Sequence, residues 1–324
     1  MPEQGIYHPN GSFHKVSPIV EKPFSSSDPS LNEQISHLKD LQEYKKSHEI
    51  WKDEIDIKAT TQGLPFMFMA LSDLHIGASG ADYDALKERL LFLRDYPVSA
   101  ILVGDLADNF SPMRFPSSMS ENLVEPTDQW RLARSFFKEF QDKILVNVGG
   151  GQHDEWVKRI SGIDIFQWMT EDLNIPLLKS GGVVNFQVDD QKYKTRLFHK
   201  IGRLNSQFNY THAGKQALRL AGDDSDLIIT GDKHLGAVEQ THIGDRKRTI
   251  CQLGTLKVED DFGRSQGYPQ RPIPFYPVFM LFGDQHNVEV VENLDSAKKM
   301  IDATFQYYKQ LGVGSLGVHG NLQS

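Results

Sequence analysis

Buried strands alternate with amphipathic helices over the first half of this chain, and that order limits the folds available to it. Three apolar segments, at 66–71, 100–105 and 143–148, have the length and composition of core strands. The stretches between them carry apolar residues at intervals of three and four, as in the segment LKERLLFLRD. Strands that alternate with helices in this way are typical of a parallel sheet with helices on its faces.

The second half of the chain changes to hairpins. Residues 183–199 predict one hairpin, and the segments YPVFMLF and NVEVVE predict a later one, with short strands between them. We therefore expect an α/β fold with two facing mixed β-sheets in a sandwich flanked by helices. A helical pattern from 30 to 55 belongs to an amino-terminal arm and amphipathic helix at 1–60. The expected core covers 61–256, and the extension at 257–324 completes or caps it.

The composition excludes several classes of protein. The 324 residues are 39% hydrophobic and 24% charged, as in a globular protein, and the formal charge of −8 argues against a general nucleic-acid coat. A single cysteine, Cys251, excludes an intrachain disulfide and favours a reducing compartment. No secretory signal is visible, and no apolar run approaches the ~20 residues of a spanning helix, so we expect a cytoplasmic protein without membrane contact.

Polar clusters follow the predicted strands at the points where those strands end. Along the chain they are DLH at 73–75, GDLAD at 104–108, GQHD at 151–154, His199 in LFHK, and GDKH at 231–234. Any one of them alone would indicate only a hydrogen-bonded surface group. Ligands of open α/β sheets, however, collect beyond the carboxyl ends of the strands. A mixed set of carboxylates and imidazoles suits Mn, Fe or Zn, so the sequence predicts a metal site at this edge.

These five motifs, in this order and spacing, resemble the calcineurin-like metallophosphoesterase superfamily over roughly residues 66–254. Its motifs run D-x-H, G-D-x-x-D, G-N-H-D/E, a single His and G-H-x-H, on a two-sheet sandwich flanked by helices. The resemblance implies two divalent metal ions, with Mn²⁺ expected and Mg²⁺, Fe²⁺ or Zn²⁺ as alternatives. The positions that match the metal ligands of the family are Asp73, His75, Asp105, Gln152, His199, Asp232 and His234.

The resemblance also implies a role for each position. Asp105 bridges the two ions, and the remaining ligands of the first ion are Asp73, His75 and His234. The second ion takes the other three positions. His153 protonates the leaving oxygen, Asp108 orients His153, and the two ions polarise the phosphoryl oxygen and supply a hydroxide.

Two positions depart from the family pattern. Gln152 stands where the family has Asn, and Asp232 stands where it has His. Both side chains can offer oxygen to a metal, so we expect an altered second site that prefers Mn²⁺ rather than a lost one. The same departures leave open a catalytically silent member of the family that binds a partner through its amino-terminal arm.

The expected function is a metal-dependent phosphoesterase that acts on phosphodiesters such as DNA or RNA. The forms SDLHIG and GDLAD are closer to the DNA-repair exonuclease-like branch than to the protein serine/threonine phosphatases, whose second Asp is followed by Arg. A nucleotide or phosphomonoester hydrolase is the alternative. The candidates for substrate contact are Arg203, Asn205 and His212, although a solvated strand face and capping of the next helix explain the polar residues of this region equally well.

Overall fold

The structure is a computed structural model, and it describes residues 5–7, 13–15, 30–110, 116–170, 172–202, 209–220, 224–243, 246–259, 261, 264 and 273–310. The chain divides into two compact units, residues 1–50 and 51–324. In the first unit, strands β1 (Gly5–Tyr7) and β2 (Phe13–Lys15) pair antiparallel. None of the described helices is long and apolar enough to cross a membrane.

Helix α1 (Leu31–Ser47) begins with a capping box. The Glu33 N–H donates to Ser30 Oγ at 3.3 Å, and the Glu33 carboxylate accepts from the Ser30 N–H at 2.7 Å. The sequence pattern predicted this helix as far as 55, which was wrong beyond Ser47. A strand, β3 (Trp51–Ala59), follows instead, because every second residue from 55 to 59 is buried and the two between them are exposed.

The second unit contains a mixed sheet of eleven described strands, in the order β10-β11-β9-β8-β7-β6-β5-β4-β12-β13 with β3 beside β7. Its strands after β3 are β4 (Phe66–Leu71), β5 (Ser99–Val103), β6 (Ile144–Val148), β7 (Leu177–Val188), β8 (Gln191–Phe198), β9 (Leu227–Thr230), β10 (Ala237–Ile243), β11 (Arg246–Gln252), β12 (Val278–Leu281) and β13 (Val288–Val291). Strands β4, β5 and β6 are parallel, as predicted, and β7 and β8 form the predicted hairpin.

The sheet bends at β7. The start of this strand, residues 177–178, pairs with β6, whereas residues 182–188 pair with β8. Gly181 lies between the two parts with φ +81°, and a Cβ there would lie 2.5 Å from the Phe198 ring. Phe68 of β4 stacks on Phe186 of β7 at a centroid distance of 5.2 Å. The two parts of the sheet therefore face each other across a core made of strand side chains.

Helices cover the outer faces. They are α2 (Tyr83–Asp95), α3 (Pro126–Glu139), α4 (Gln152–Ser161), α5 (Ile165–Thr170), α6 (His212–Leu220) and α7 (Leu294–Gln310). Residues of α2, α3, α5 and α7 pack on one part of the sheet, and α6 packs on Ile228 and Ile250 of the other. The predicted α/β arrangement of facing mixed sheet layers flanked by helices is confirmed. Helix α4 was not predicted: it begins inside the GQHD motif, and its one buried residue is Asp154.

Candidate metal centre

The loops after β4, β5, β6, β8 and β9 carry the predicted ligands, and the first two of these loops are hydrogen-bonded to each other. The His75 N–H donates to Asp105 O at 3.2 Å, and the Ile76 N–H donates to Leu106 O at 2.9 Å. The Asp73 N–H donates to Gly104 O at 3.2 Å. These bonds place the carboxyl ends of neighbouring parallel strands side by side, which is where such sheets bind ligands.

Five of the predicted site residues have left-handed backbone conformations. Positive φ values of 52°, 44°, 47°, 72° and 59° belong respectively to Asp73, His75, Asp105, Asp232 and His234. Residues other than Gly seldom adopt this region, although Asp and His are enriched among those that do. Strain of this kind persists where surrounding bonds enforce it, and it clusters at functional sites. The spacing of these residues in the sequence did not predict their left-handed conformations.

The first group of potential ligands is Asp73, His75 and His234. His234 Nε2 lies 3.2 Å from Asp73 Oδ1 and 3.2 Å from His75 Nε2. Two ligand atoms that each lie ~2.0–2.2 Å from one ion are roughly 3 Å apart, so this spacing fits a metal ion. Asp73 Oδ1 is buried without a hydrogen-bond partner. Its near neighbour is His234 Nε2, and a buried carboxylate oxygen without a well-aligned donor is costly unless a cation binds it.

The second group is Asp73, Asp105 and His199. His199 Nε2 lies 3.1 Å from Asp105 Oδ2 and 4.0 Å from Asp73 Oδ1. Its Nδ1–H donates to Val103 O at 2.8 Å, which directs Nε2 toward the carboxylates. Asp73 therefore belongs to both groups. Asp105, the bridge implied by the family resemblance, belongs to this group and to a further one with His75 and His153.

Charge and burial set the protonation of the two fully buried imidazoles in opposite directions. Burial lowers the pKa of His75 to about 4, although the Asp108 carboxylate accepts its Nδ1–H at 2.9 Å. Burial would lower the pKa of His199 as well, but Asp105 and Asp73 raise it to about 10. Burial alone would raise the pKa of the Asp105 carboxyl, yet His199 and His153 hold it below its ordinary value. The Asp73 and Asp105 carboxylates thus favour a positive charge beside them, which protonated His199 or a metal ion can supply.

His153 lies at the start of α4, beside both groups. Its N–H donates to Asp105 Oδ1 at 2.9 Å, and its Nδ1–H donates to the main-chain carbonyl of Asp108. The Asp108 carboxylate is 3.8 Å away from that nitrogen, because its Oδ1 binds His75 instead. Trp156 and Phe110 pack against the His153 ring, with centroids at 4.1 and 5.2 Å. In this geometry a main-chain carbonyl orients His153, and the Asp108 side chain orients His75.

Gln152 and Asp232 contact each other, and Asp232 is not a member of the three groups of carboxylates and imidazoles. The Gln152 amide donates to Asp232 Oδ1, which also lies 3.2 Å from Lys200 Nζ. Asp232 Oδ2 lies 2.9 Å from Lys233 Nζ. The Asp232 N–H donates to Asp73 Oδ2 at 3.1 Å, so the pair lies at the edge of the centre.

The predicted substrate residues are farther along the chain. Arg203 and Asn205 lie outside the described residues. His212 is the first residue of α6, and its N–H donates to Asn209 O at 3.1 Å, as expected of a helix start.

The sequence did not predict the roles of two buried titratable side chains at the site, Lys257 and Asp154. Lys257 Nζ lies 3.1 Å from Asp108 Oδ1, 3.1 Å from Glu121 Oε2 and 4.5 Å above the Phe110 ring. Asp154, the last residue of the GQHD motif, is buried, and burial together with Asp105 raises its pKa well above the ordinary value. The GQHD motif includes Asp154 but does not indicate its burial or its raised pKa, and no local sequence pattern marks Lys257.

No protein-family model and no curated protein sequence matches the chain. Among solved structures it is similar to a metallophosphoesterase from Sphaerobacter thermophilus, with 14% identity, a TM-score of 0.35, and coverage of 75% of this chain and 95% of that one. It is similar to the calcineurin-like phosphoesterase YfkN from Bacillus subtilis, with 10% identity, a TM-score of 0.34, and coverage of 76% and 98%. It is also similar to Vps29 from Entamoeba histolytica complexed with Zn²⁺, with 13% identity, a TM-score of 0.36, and coverage of 70% and 99%. The first of these structures is named a metallophosphoesterase, and the second is named a calcineurin-like phosphoesterase.

Proposed function

We propose that this protein is a metal-dependent phosphoesterase, a hydrolase of phosphate esters. The observation that carries the proposal is the shared carboxylate: Asp73 belongs to two groups of potential ligands, and its buried Oδ1 has no hydrogen-bond partner. One ion would be held by Asp73, His75 and His234. A second would be held by Asp73 together with Asp105 and His199.

When bound, divalent ions at these positions polarise phosphoryl oxygens and lower the pKa of water. Carboxylate oxygens and imidazoles in one donor set suit Mn²⁺, which is the ion we propose. The protein's contribution is to present the right donor atoms. Burial keeps His75 neutral with its Nδ1–H on Asp108, and Val103 O holds the Nδ1–H of His199. Both Nε2 atoms then face the carboxylates.

His153 is the residue that we propose as the general acid. Its Nδ1–H is held by the Asp108 carbonyl, so its Nε2 is the nitrogen that can deliver a proton to the leaving oxygen. Packing by Trp156 and Phe110 limits the rotation of the ring. The side chain is partly exposed, as a group that meets a substrate must be.

The substrate that we propose is a phosphodiester such as DNA or RNA, on the basis of the SDLHIG and GDLAD forms. A nucleotide or another phosphomonoester is the alternative. Hydrolysis of bis-p-nitrophenyl phosphate and of p-nitrophenyl phosphate, with Mn²⁺ and with chelator, separates the two classes. We expect Mn²⁺-dependent turnover that is faster with the diester.

The test variant is Asp105→Asn, and its matched control is Asp189→Asn. Asp189 also has a positive φ and accepts hydrogen bonds from Thr61 and Gly63. It precedes the start of β8, whereas His199 follows the end of that strand, so Asp189 lies away from the metal centre. Turnover should disappear with Asp105→Asn and persist with Asp189→Asn. A wild-type protein that binds Mn²⁺ and hydrolyses neither ester would refute the enzymatic proposal and leave the silent binding scaffold.

A further inference from the structure

Two lysine ammonium groups converge on one carboxylate beside the metal centre. Lys200 Nζ lies 3.2 Å from Asp232 Oδ1, and Lys233 Nζ lies 2.9 Å from Asp232 Oδ2. The Gln152 amide donates to Oδ1 as well. Two ammonium groups and one carboxylate leave one net positive charge, in a chain whose formal charge is −8.

The carboxylate lies on the protein side of this cluster, and the lysines lie toward solvent. The side chain of Asp232 is 6% exposed, against 35% for Lys200 and 18% for Lys233. Lys233 directly precedes His234, whose side chain is 28% exposed and is therefore a ligand that solvent can reach. Asp232 itself is joined to the centre, because its N–H donates to Asp73 Oδ2 at 3.1 Å.

The contacts of Asp232 favour cationic side chains over a metal ion as its partners. Both oxygens already face ammonium groups, and one also accepts from an amide. An additional divalent ion on either oxygen would lie close to an ammonium group, and like charges at such distances repel. In these contacts the Asp232 side chain anchors two lysines, and its role as a hard metal ligand stays a prediction.

We propose that Lys200 and Lys233, anchored on Asp232, form an anion subsite that binds the phosphate group of the substrate next to the metal ions. The identity of that phosphate as part of a substrate rests on the proposed function. A lysine ammonium has three N–H donors, so it can bind a carboxylate and a phosphate oxygen together. Charge-assisted hydrogen bonds of this type are about twice as strong as neutral ones.

The test is equilibrium binding of inorganic phosphate to the full chain at saturating Mn²⁺, with metal content measured in the same samples. Lys200→Met and Lys233→Met should each lower phosphate affinity about tenfold or more and leave the metal content unchanged. Lys200→Arg keeps the charge and should restore most of the affinity. Lys298→Met is the matched control, because Lys298 also pairs with a carboxylate, Asp295 at 3.1 Å, but on α7.

The failure of this inference is distinguishable from failure of the proposed function. Wild-type protein that hydrolyses no ester but binds phosphate through the lysines refutes the phosphoesterase and supports the subsite. Active protein whose lysine variants bind phosphate as wild type does refutes the subsite and leaves the phosphoesterase. Loss of metal from either methionine variant also refutes the subsite, since the lysines would then act through the metal centre.

Discussion

Replacement of Lys257 by Met tests the buried charge network behind the centre. Lys257 is 2% exposed, and its ammonium group lies 3.1 Å from carboxylate oxygens of both Asp108 and Glu121. Met retains most of the length and the apolar contact with Phe110 but removes the charge. Removal of one partner from a buried ion pair costs ~3–5 kcal/mol, because the remaining charge is left buried without compensation. Asp108 keeps its bond to His75, so we expect a loss near the lower limit, about 3 kcal/mol.

The same substitution should weaken metal binding. Burial would raise the pKa of Asp108, but the hydrogen bond from His75 and the charge of Lys257 hold it at about 2. Without Lys257 the pKa of Asp108 rises, and its carboxylate loses one of the two groups that fix its position, so it orients His75 less precisely. Partners of metal-ligating histidines typically contribute 10–100-fold to metal affinity, so we expect Lys257→Met to lower Mn²⁺ affinity by roughly tenfold.

The assays are urea unfolding of the metal-free protein, followed by circular dichroism, and titration with Mn²⁺. Lys298→Met is the control, because that lysine pairs with Asp295 at the surface and such pairs contribute ~0–1 kcal/mol. If Lys257→Met changes the free energy of unfolding no more than the control does and binds Mn²⁺ as tightly as wild type, the network does not support the centre.

Three further predictions concern the centre itself. Asp105→Asn should abolish turnover and reduce the Mn²⁺ content, since it removes one carboxylate of the second group; turnover at the wild-type rate with full metal content would contradict its role. His153→Ala should keep the metal content and lower turnover by roughly 10²–10⁴, less for esters with good leaving groups, because these need less protonation. An equal loss for all leaving groups in a kinetic series would exclude the acid role. Burial lowers the pKa of His199 but Asp105 and Asp73 raise it to about 10, so Mn²⁺ must displace a proton from it at pH 8. Mn²⁺ affinity should therefore increase with pH up to about 10, and calorimetry in buffers of different ionisation enthalpy should show release of about one proton, whereas buffer-independent heats would contradict the assignment.

Local sequence patterns predicted most of the fold and the positions of most site residues. Apolar periodicity identified β4 to β6 and the helices with clear apolar faces, and the strand-end motifs identified residues that the structure brings together. Strand β3 was hidden because it shows alternation only from 55 to 59 and follows a helical pattern directly. The bend at Gly181 depends on pairing partners far along the chain, so no short window of sequence reports it.

The sequence did not predict the lysine partners of Asp108 and Asp232 either, because these contacts also depend on the three-dimensional structure. Lys257 and Asp108 are 149 residues apart in the sequence, and no periodic pattern around either residue indicates that they are in contact. Asp232 offers the same oxygens to a metal or to an ammonium group. The contacts of Asp232 with Lys200 and Lys233 support the ammonium partners that we propose, and the pattern GDKH alone does not indicate them.

The central claim is tested most directly by the number of Mn²⁺ ions bound per chain in wild type and in Asp73→Asn. Oδ2 of Asp73 accepts from Ser72 Oγ and from the Asp232 N–H, so an asparagine keeps its oxygen there. Its NH₂ group then takes the place of Oδ1, the atom near both His234 and His199, and directs N–H donors at the ions. Elemental analysis should find about two Mn²⁺ per wild-type chain and neither ion in the folded variant. Asp73→Asn that retains the wild-type Mn²⁺ content would contradict the account.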